Sequence, residues 1–512
     1  MHNALCILAI NMSILKSLNL TRRYKQGFTI VELIVVIVVI GIVAGIAVVG
    51  YGAWRDSIAT KAVKSDLEIV KASMTSTQTF SENGFSTSLP SSFESGDNVE
   101  VTYISGNSTE YCIEAKSTLV ESVLWRIEGK VSSAVIAKGA CPPGDGWKAV
   151  ASTNDSSCGV SLVNTIYCWG VGNLTPTPLG NGAIPSGAII SSISGGTGHF
   201  CVIADEWAYC WGTNSNGRLG DGTSNVQATP VAIMRGLIPT GKTLADVAAG
   251  GNHTCALTTD SLVYCWGYGV YGSLGRNTVV SSNTAVATVA GNIPVGVTPK
   301  AISAGGYNTC VLGTNNKAYC WGAGADGEIG NGGNTQMNSP TLVSQGAVPV
   351  SATLASIGVG SNHSCVTTTA GLAYCWGAGF NGRLGNGDSA DSNVPVAVTQ
   401  GSITYSKLWI GVGETCTLTS AGVGYCWGVN GDGQLGGGSS YTSSSFVNVP
   451  VLVQNGAKPS TIAFTEIKPG DTHACGLASN KKIYCWGSGA NGKLGNGSST
   501  SSSIPVAVTD SF

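Results

Sequence analysis

Four of the five histidines, His199, His253, His363 and His473, stand two residues before a cysteine, and a second cysteine follows nine or ten residues on. Imidazole beside thiol is the raw material of a nucleophilic centre or a zinc site. Both chemistries need the groups to converge on one point, whereas these recur at intervals along the chain. A zinc site also takes four ligands, and each stretch offers two cysteines ten apart. Asn308, Glu414 and Ser156 fill the same place in the other stretches, which suits a side chain that hydrogen-bonds one turn in each repeat. The loops Asn214-Ser-Asn216-Gly217, Ala325-Asp326-Gly327 and Asn430-Gly-Asp432-Gly433 resemble the start of a calcium loop, without the acidic residue six beyond the glycine. Asn-Gly and Asp-Gly turns explain them. Nucleophile elbow, Walker loop and dinucleotide fingerprint are absent. The expectation is a protein that is not an enzyme and holds no metal or cofactor.

The repeat that positions these residues is built on Tyr-Cys-Trp-Gly. It occurs seven times, with Trp169, Trp211, Trp266, Trp321, Trp376, Trp427 and Trp486, and most copies are followed by Gly-x-Leu-Gly. From Trp211 to Trp376 the spacing is 55 residues. A fixed period of this size means a repeat architecture. In the unit from Thr243 to Arg276, Leu244-Ala-Asp-Val-Ala, His253-Thr-Cys255-Ala-Leu257 and Leu262-Val-Tyr-Cys265-Trp266 read as strands. A fourth is clearest at Pro395-Val396-Ala397-Val398. Four strands and seven units make a seven-bladed β-propeller.

Cys255 and Cys265 fall on paired strands either side of a turn and can bridge. The equivalent pairs are Cys158–Cys168, Cys201–Cys210, Cys310–Cys320, Cys365–Cys375, Cys416–Cys426 and Cys475–Cys485. They leave no propeller cysteine over. Seventeen cysteines in such a pattern place the chain in an oxidising compartment. Charged residues are 11% and the net charge is −2, with no basic cluster in the propeller, which argues against nucleic acid.

The Gly-x-x-His-x-Cys-x-Leu, Tyr-Cys-Trp-Gly and Gly-x-Leu-Gly units over residues 147–512 resemble repeats of the regulator of chromosome condensation family, whose members form seven-bladed propellers. The first unit departs from the pattern, with Asn154-Asp155-Ser156-Ser157 before Cys158 and a shortened Leu179-Gly180-Asn181-Gly182. The cysteine ladder suits an exported branch rather than a nuclear exchange factor.

An exported chain needs a signal. Arg22, Arg23 and Lys25 precede Gly27-Phe28-Thr29-Ile30-Val31-Glu32 and an apolar run from Leu33 to Tyr51. This resembles a type IV prepilin signal. The resemblance implies cleavage by prepilin peptidase after Gly27, methylation of Phe28, and pairing of Glu32 with the terminal amine of a neighbouring pilin subunit. A carboxylate in an apolar segment is costly without a partner, and the stretch from Phe28 to Tyr51 is long enough to span a bilayer. Gly41 and Gly45 permit close helix packing or are tolerated glycines of a membrane helix. Residues 1–27 are then the leader, with Met1 or Met12 as start. Residues 28–82 are the pilin helix, continued amphipathically by Ile58, Ala62, Leu67, Ile69 and Val70. Residues 83–146 hold the β part of a small α+β pilin domain, with strands at Glu100–Ile104, Glu110–Ala115 and Val123–Ile127, then a Pro-Pro-Gly linker. Cys112 and Cys141 fall where pilin domains often carry a disulfide.

Six Ser-, Thr- and Asn-rich segments of unequal length follow the Gly-x-Leu-Gly elements: 221–229, 276–284, 331–339, 386–394, 437–449 and 496–504. Tyr268, Tyr271, Phe380, Tyr441 and Phe446 lie in or near loops, as ligand anchors or as packing between blades. Variable loops on a rigid scaffold are where binding specificity resides. The expectation is a mainly β, non-catalytic minor pilin. It is a single-pass precursor in the cytoplasmic membrane, then part of the cell surface or a pilus, and its propeller binds a surface protein or glycan. The alternatives are a secretion pseudopilin with a cargo-binding propeller, and a cell-surface enzyme or inhibitor. Which blade the C-terminal strand completes is open.

Overall fold

The computed structural model describes residues 57, 59–69, 99–106, 110–118, 124–130, 135–138, 146–441 and 444–509. Gly27, Phe28, Glu32, the stretch 28–51, Cys141 and the side chain of Cys112 lie outside the described residues. The chain divides into two units, Met1–Gly144 and Asp145–Phe512.

In the first unit a helix covers 59–69, and Ala59, Val63 and Leu67 are buried along it. Their spacing of four puts them on one face. Ile69, expected on the apolar face, is 55% exposed, because a two-residue step from Leu67 turns it away. Strands Val99–Gly106, Glu110–Ser117, Leu124–Lys130 and Val135–Lys138 form an antiparallel meander in sequence order. The last of these, four residues long, is not foreseen in the sequence. Among the described residues no helix is long and apolar enough to cross a membrane.

The second unit is a seven-bladed propeller. Each blade is a four-stranded antiparallel sheet whose strands follow one another in sequence. In the third blade they are Leu244–Ala249, His253–Thr258, Val263–Gly267 and Ser282–Ala287, from the axis outward. The second strand is buried at all six positions, as expected of a strand covered on both faces. The outermost strand keeps its buried residues near its end, Ala285 and Val286.

All seven expected cysteine pairs are disulfide-bonded. Cys255 sits directly opposite Cys265 in the strand register, with Cα atoms 4.0 Å apart. Such close approach marks a position between ladder hydrogen bonds, where side chains meet across the strands.

Blades are joined by three recurring contacts. Six of the seven repeat tryptophans pack under the Gly-x-Leu-Gly corner of the preceding blade, as Trp266 does with Leu219 and Ile233. Each indole N–H donates to a corner carbonyl. The pairs are Trp266 to Arg218, Trp321 to Ser273, Trp376 to Glu328, Trp427 to Arg383, Trp486 to Gln434 and Trp169 to Lys493, at 2.8–3.0 Å. Trp211 follows the blade whose corner is shortened, and stacks on Phe200 at 5.5 Å instead. On the outside, a Gly-x-x-Pro loop clasps the next outermost strand: Leu237 N–H donates to Ala285 O, Asn292 to Pro340 O, and Ala347 to Pro395 O. Gly236 has φ +52°, and a Cβ there would lie 2.2 Å from Ala285 O, so glycine is required.

The ring closes without strand exchange. The C-terminal strand Ser502–Ala507 completes its own blade with Ile483–Gly487. The seam to the first blade is made by Trp147 N–H to Lys481 O, Gly497 N–H to Leu174 O and the Trp169–Lys493 bond.

Candidate functional site: the loop-bearing face

Because strands alternate in direction, the turn between the first and second strands and the loop between the third and fourth emerge on the same face of every blade. All six variable loops therefore share one face with the Gly-Gly turns. Those turns link head to tail around the axis: Thr197 N–H to Gly250 O, Gly251 to Gly305 O, Gly306 to Gly360 O and Val412 to Gly470 O, at 2.8–3.2 Å. A Cβ on Gly305 would fall 1.9 Å from Gly360 O, which no other residue tolerates. The glycine ring narrows this end of the axial channel to a cavity of about 60 Å³.

The histidines lie just beneath it and do not converge. Each is fully buried and spans one blade seam. His199 Nε2 meets Thr254 Oγ1 at 2.9 Å, His253 meets Thr309 at 2.6 Å, His363 meets Thr415 at 2.9 Å, and His473 meets Ser157 at 2.8 Å. Thr254 and Thr309 donate their own protons to Arg218 O and Ser273 O. His199 and His253 therefore carry the proton on Nε2 and leave Nδ1 bare. A second proton would create a buried N–H with no acceptor. Burial lowers all four histidines to about 3.

Asn308 keeps the same link, to Ser364 at 3.4 Å. The two seams that lack it have lost both halves. Phe200 follows Ser156 and Ala474 follows Glu414, where other blades present a hydroxyl. Glu414 is fully buried, accepts one bond from Gly413 N–H, and leaves Oε1 unpaired. Burial raises its pKa well above the ordinary carboxyl range. A group with a raised folded pKa contributes stability below its ordinary pKa and loses it as pH rises. Glu414→Gln is therefore expected to raise the melting temperature at pH 7 and leave it unchanged near pH 4, as followed by circular dichroism.

The corner residue of Gly-x-Leu-Gly is a contributor that sequence reading missed. Arg218 donates to Gly251 O at 2.8 Å, Thr197 O at 3.2 Å and Asn252 Oδ1 at 3.0 Å, plugging the seam below the loops. Arg383 occupies the equivalent place, but the facing turn has Gly413 where Asn252 stands. Its Nε and Nη1 are buried without acceptors, and Phe380 covers the guanidinium at 3.7 Å. The signal was the recurrence of Gly-Arg-Leu-Gly opposite Asn in one turn and Gly in the other.

The loops are ordered by their own polar groups. Asp221 accepts from Asn214, Thr223 and Gln227 at 2.9–3.0 Å, and those bonds hold its pKa below the usual range despite desolvation, the largest single influence. Asn216, Asn381 and Asn491 have φ of 62°, 58° and 58°, the left-handed turn geometry expected of Asn-Gly. Tyr268 and Tyr271 meet Tyr307 of the next blade, the last pair at 5.0 Å between centroids. Tyr271 and Phe380 are exposed. Tyr441 ends the short helical turn Gly438–Tyr441, and Phe446 opens the strand Phe446–Leu452. The face is polar, uncharged in three of its six variable loops, rigid below and uneven above.

Residues 245–273, 300–328 and 465–493, and separately 208–257, 370–418 and 481–511, match the regulator of chromosome condensation (RCC1) repeat. The matched stretches fall in the second to seventh blades. Residues 22–48 match the prokaryotic N-terminal methylation motif, which includes Gly27, Phe28 and Glu32. The ultraviolet-B receptor UVR8 of Arabidopsis thaliana is 28% identical over 339 residues, covering 65% of this chain and 72% of the receptor. The human E3 ubiquitin-protein ligase HERC2 is 27% identical over 323 residues, 62% of this chain and 6% of the ligase. Among solved structures, human WBSCR16 aligns with a TM-score of 0.57 at 22% identity, covering 66% of this chain and 85% of that one. Prp20p of Saccharomyces cerevisiae aligns at 0.51 and 17%, covering 63% and 80%.

Proposed function

We propose that this chain is a non-catalytic minor type IV pilin whose propeller is an adhesive head, held extracytoplasmically and binding a surface protein or glycan through the loop-bearing face. The observation that carries the reading is that face: six loops of unequal length on one side of a disulfide-stapled ring, with the histidines dispersed one to a seam rather than gathered into a catalytic set. The match of residues 22–48 to the methylation motif supports export through the prepilin route, with prepilin peptidase acting after Gly27, methylation at Phe28, and Glu32 engaging other subunits. Prp20p has binding properties toward Gsp1p and histones, so a propeller of this fold can serve as a platform for partners. The near-neutral composition here favours uncharged partners over nucleic acid.

Deleting residues 147–512 is expected to leave processing and membrane insertion intact and to abolish attachment of cells. Shortening the 437–449 loop is expected to weaken attachment several-fold without lowering the melting temperature. Normal attachment by the headless chain would overturn the adhesive reading in favour of a pseudopilin that meets exported cargo.

A further inference from the structure

Behind the glycine ring the axial channel widens to a cavity of about 440 Å³, lined by the innermost strands. That volume is in the range of small-molecule sites. The sevenfold repeat provides an internal control, because a residue needed by the scaffold recurs from blade to blade. The place of Ala248, two before the turn, is held by Ala151, Ser194, Ser303 and Gly358 in four other blades. In the sixth and seventh blades it is Trp409 and Lys468. Four before the turn, Ala149, Ser192, Ala301 and Ser356 are small, whereas the third, sixth and seventh blades carry Asp246, Lys407 and Glu466, of which Asp246 and Glu466 line the cavity. At these two positions the cavity lining is thus small except for Trp409 and Lys468 of adjacent blades and the carboxylates Asp246 and Glu466; Lys148 of the first blade also lines it.

The scaffold uses only part of this set. Glu466 Oε1 accepts from Val150 N–H at 3.1 Å across the closing seam, and its other oxygen lies 3.5 Å from Lys468 Nζ. Lys148 donates to Ile190 O at 2.6 Å and to Asn164 Oδ1. Asp246 accepts one bond, from the N–H of Val247 at 2.8 Å, and among the described residues no side chain donates to it. Burial raises its pKa, with Lys468 the one charged group that acts against that rise. Ser192 Oγ is buried with no partner. Lys468 Nζ stands 5.8 Å from the Trp409 ring centroid.

An anion alone would meet Asp246 and Glu466, and a cation alone would meet Lys468 and Lys148. A molecule carrying both charges a few bonds apart satisfies both sides. We propose that the channel binds a small zwitterion of the α-amino acid or short-peptide class, its ammonium on Asp246, its carboxylate toward Lys468, and its side chain against Trp409. Asp246 lies in the half of its strand away from the glycine ring, so the ligand enters from the face opposite the variable loops. The site is separate from the adhesive face and stands or falls independently of it.

The test is calorimetry of the full chain in detergent with the individual L-amino acids and with the dipeptide Gly-Gly. At least one is expected to bind, and its N-acetyl and methyl ester derivatives are expected to bind at least about tenfold more weakly, since each removes one charge of the pair. Asp246→Asn, which keeps the side-chain shape, and Lys468→Met are expected to weaken binding by a similar factor while each variant melts within a few degrees of the parent. The blocked ligands test the proposal on the unaltered protein should either variant fail to fold. Absence of binding at about 10 mM ligand, far above the range of specific small-molecule sites, overturns the proposal. So does equal binding of blocked and free ligands, or of a neutral hexose.

Discussion

Lowering the pH from 7 to about 4.5 is expected to reduce the stability of the propeller steeply, and the cause is the ring of buried histidines. In the folded chain His199, His253, His363 and His473 are lowered to about 3. In the unfolded chain they titrate near the ordinary value of about 6.5. Between those limits the unfolded state binds protons that the folded state refuses, so stability falls as pH falls. Their contribution is fully present above the ordinary histidine pKa. The slope is up to about 1.4 kcal/mol per pH unit for each histidine, or about 5 for the four. Glu414 acts with the opposite sign and offsets a fraction of this. Asn308 shows that asparagine makes the same seam bond without titrating, so His253→Asn combined with His363→Asn is expected to remove about half of the slope. Thermal melts across this pH range decide the matter. A melting temperature insensitive to pH between 6.5 and 4.5, or an unchanged slope in the double variant, would dismiss the histidine ring as the cause.

Reduction is expected to be more damaging still. Each disulfide closes a loop of about ten residues, and by chain entropy such a link stabilises the fold by about 3 kcal/mol. Seven of them sum to about 20 kcal/mol if additive, which exceeds the net stability of most domains. A single pair replaced as Cys255→Ala with Cys265→Ala is expected to fold and melt several degrees lower. Full reduction under denaturant, followed by refolding with thiols blocked, is expected to yield no native propeller by near-ultraviolet circular dichroism. Recovery of the native spectrum from the blocked chain would show that the blades hold without their staples.

The blade architecture was legible because every element of it is written seven times. Tyr-Cys-Trp-Gly fixes the third strand, the upstream cysteine fixes its partner, and the histidine place fixes the turn before it. What escaped the sequence lies between units. The reach of Arg218 to Gly251 crosses a seam, as does the bond from His199 to Thr254. A trace of that bond was present in the residues just before the cysteines, where Phe200 and Ala474 lack a hydroxyl at the two seams whose facing residue departs from histidine or asparagine. Asp246 and Lys468 come together only because the ring brings the third and seventh blades to one axis, and no local pattern announces that. The helix face at Ala59, Val63 and Leu67 was misplaced because Ile69 satisfied apolar composition but not helical spacing.

The seam between the last blade and the first is made of the same non-covalent contacts as the rest, while all seven propeller disulfides lie inside blades. The molecule therefore behaves under tension as a closed chain of armoured links with weak joints. A load that opens the ring separates intact four-stranded plates at a seam, and each plate resists unravelling past its staple. Extension is then limited by the short connectors between plates, and the joints can close again when the load is removed.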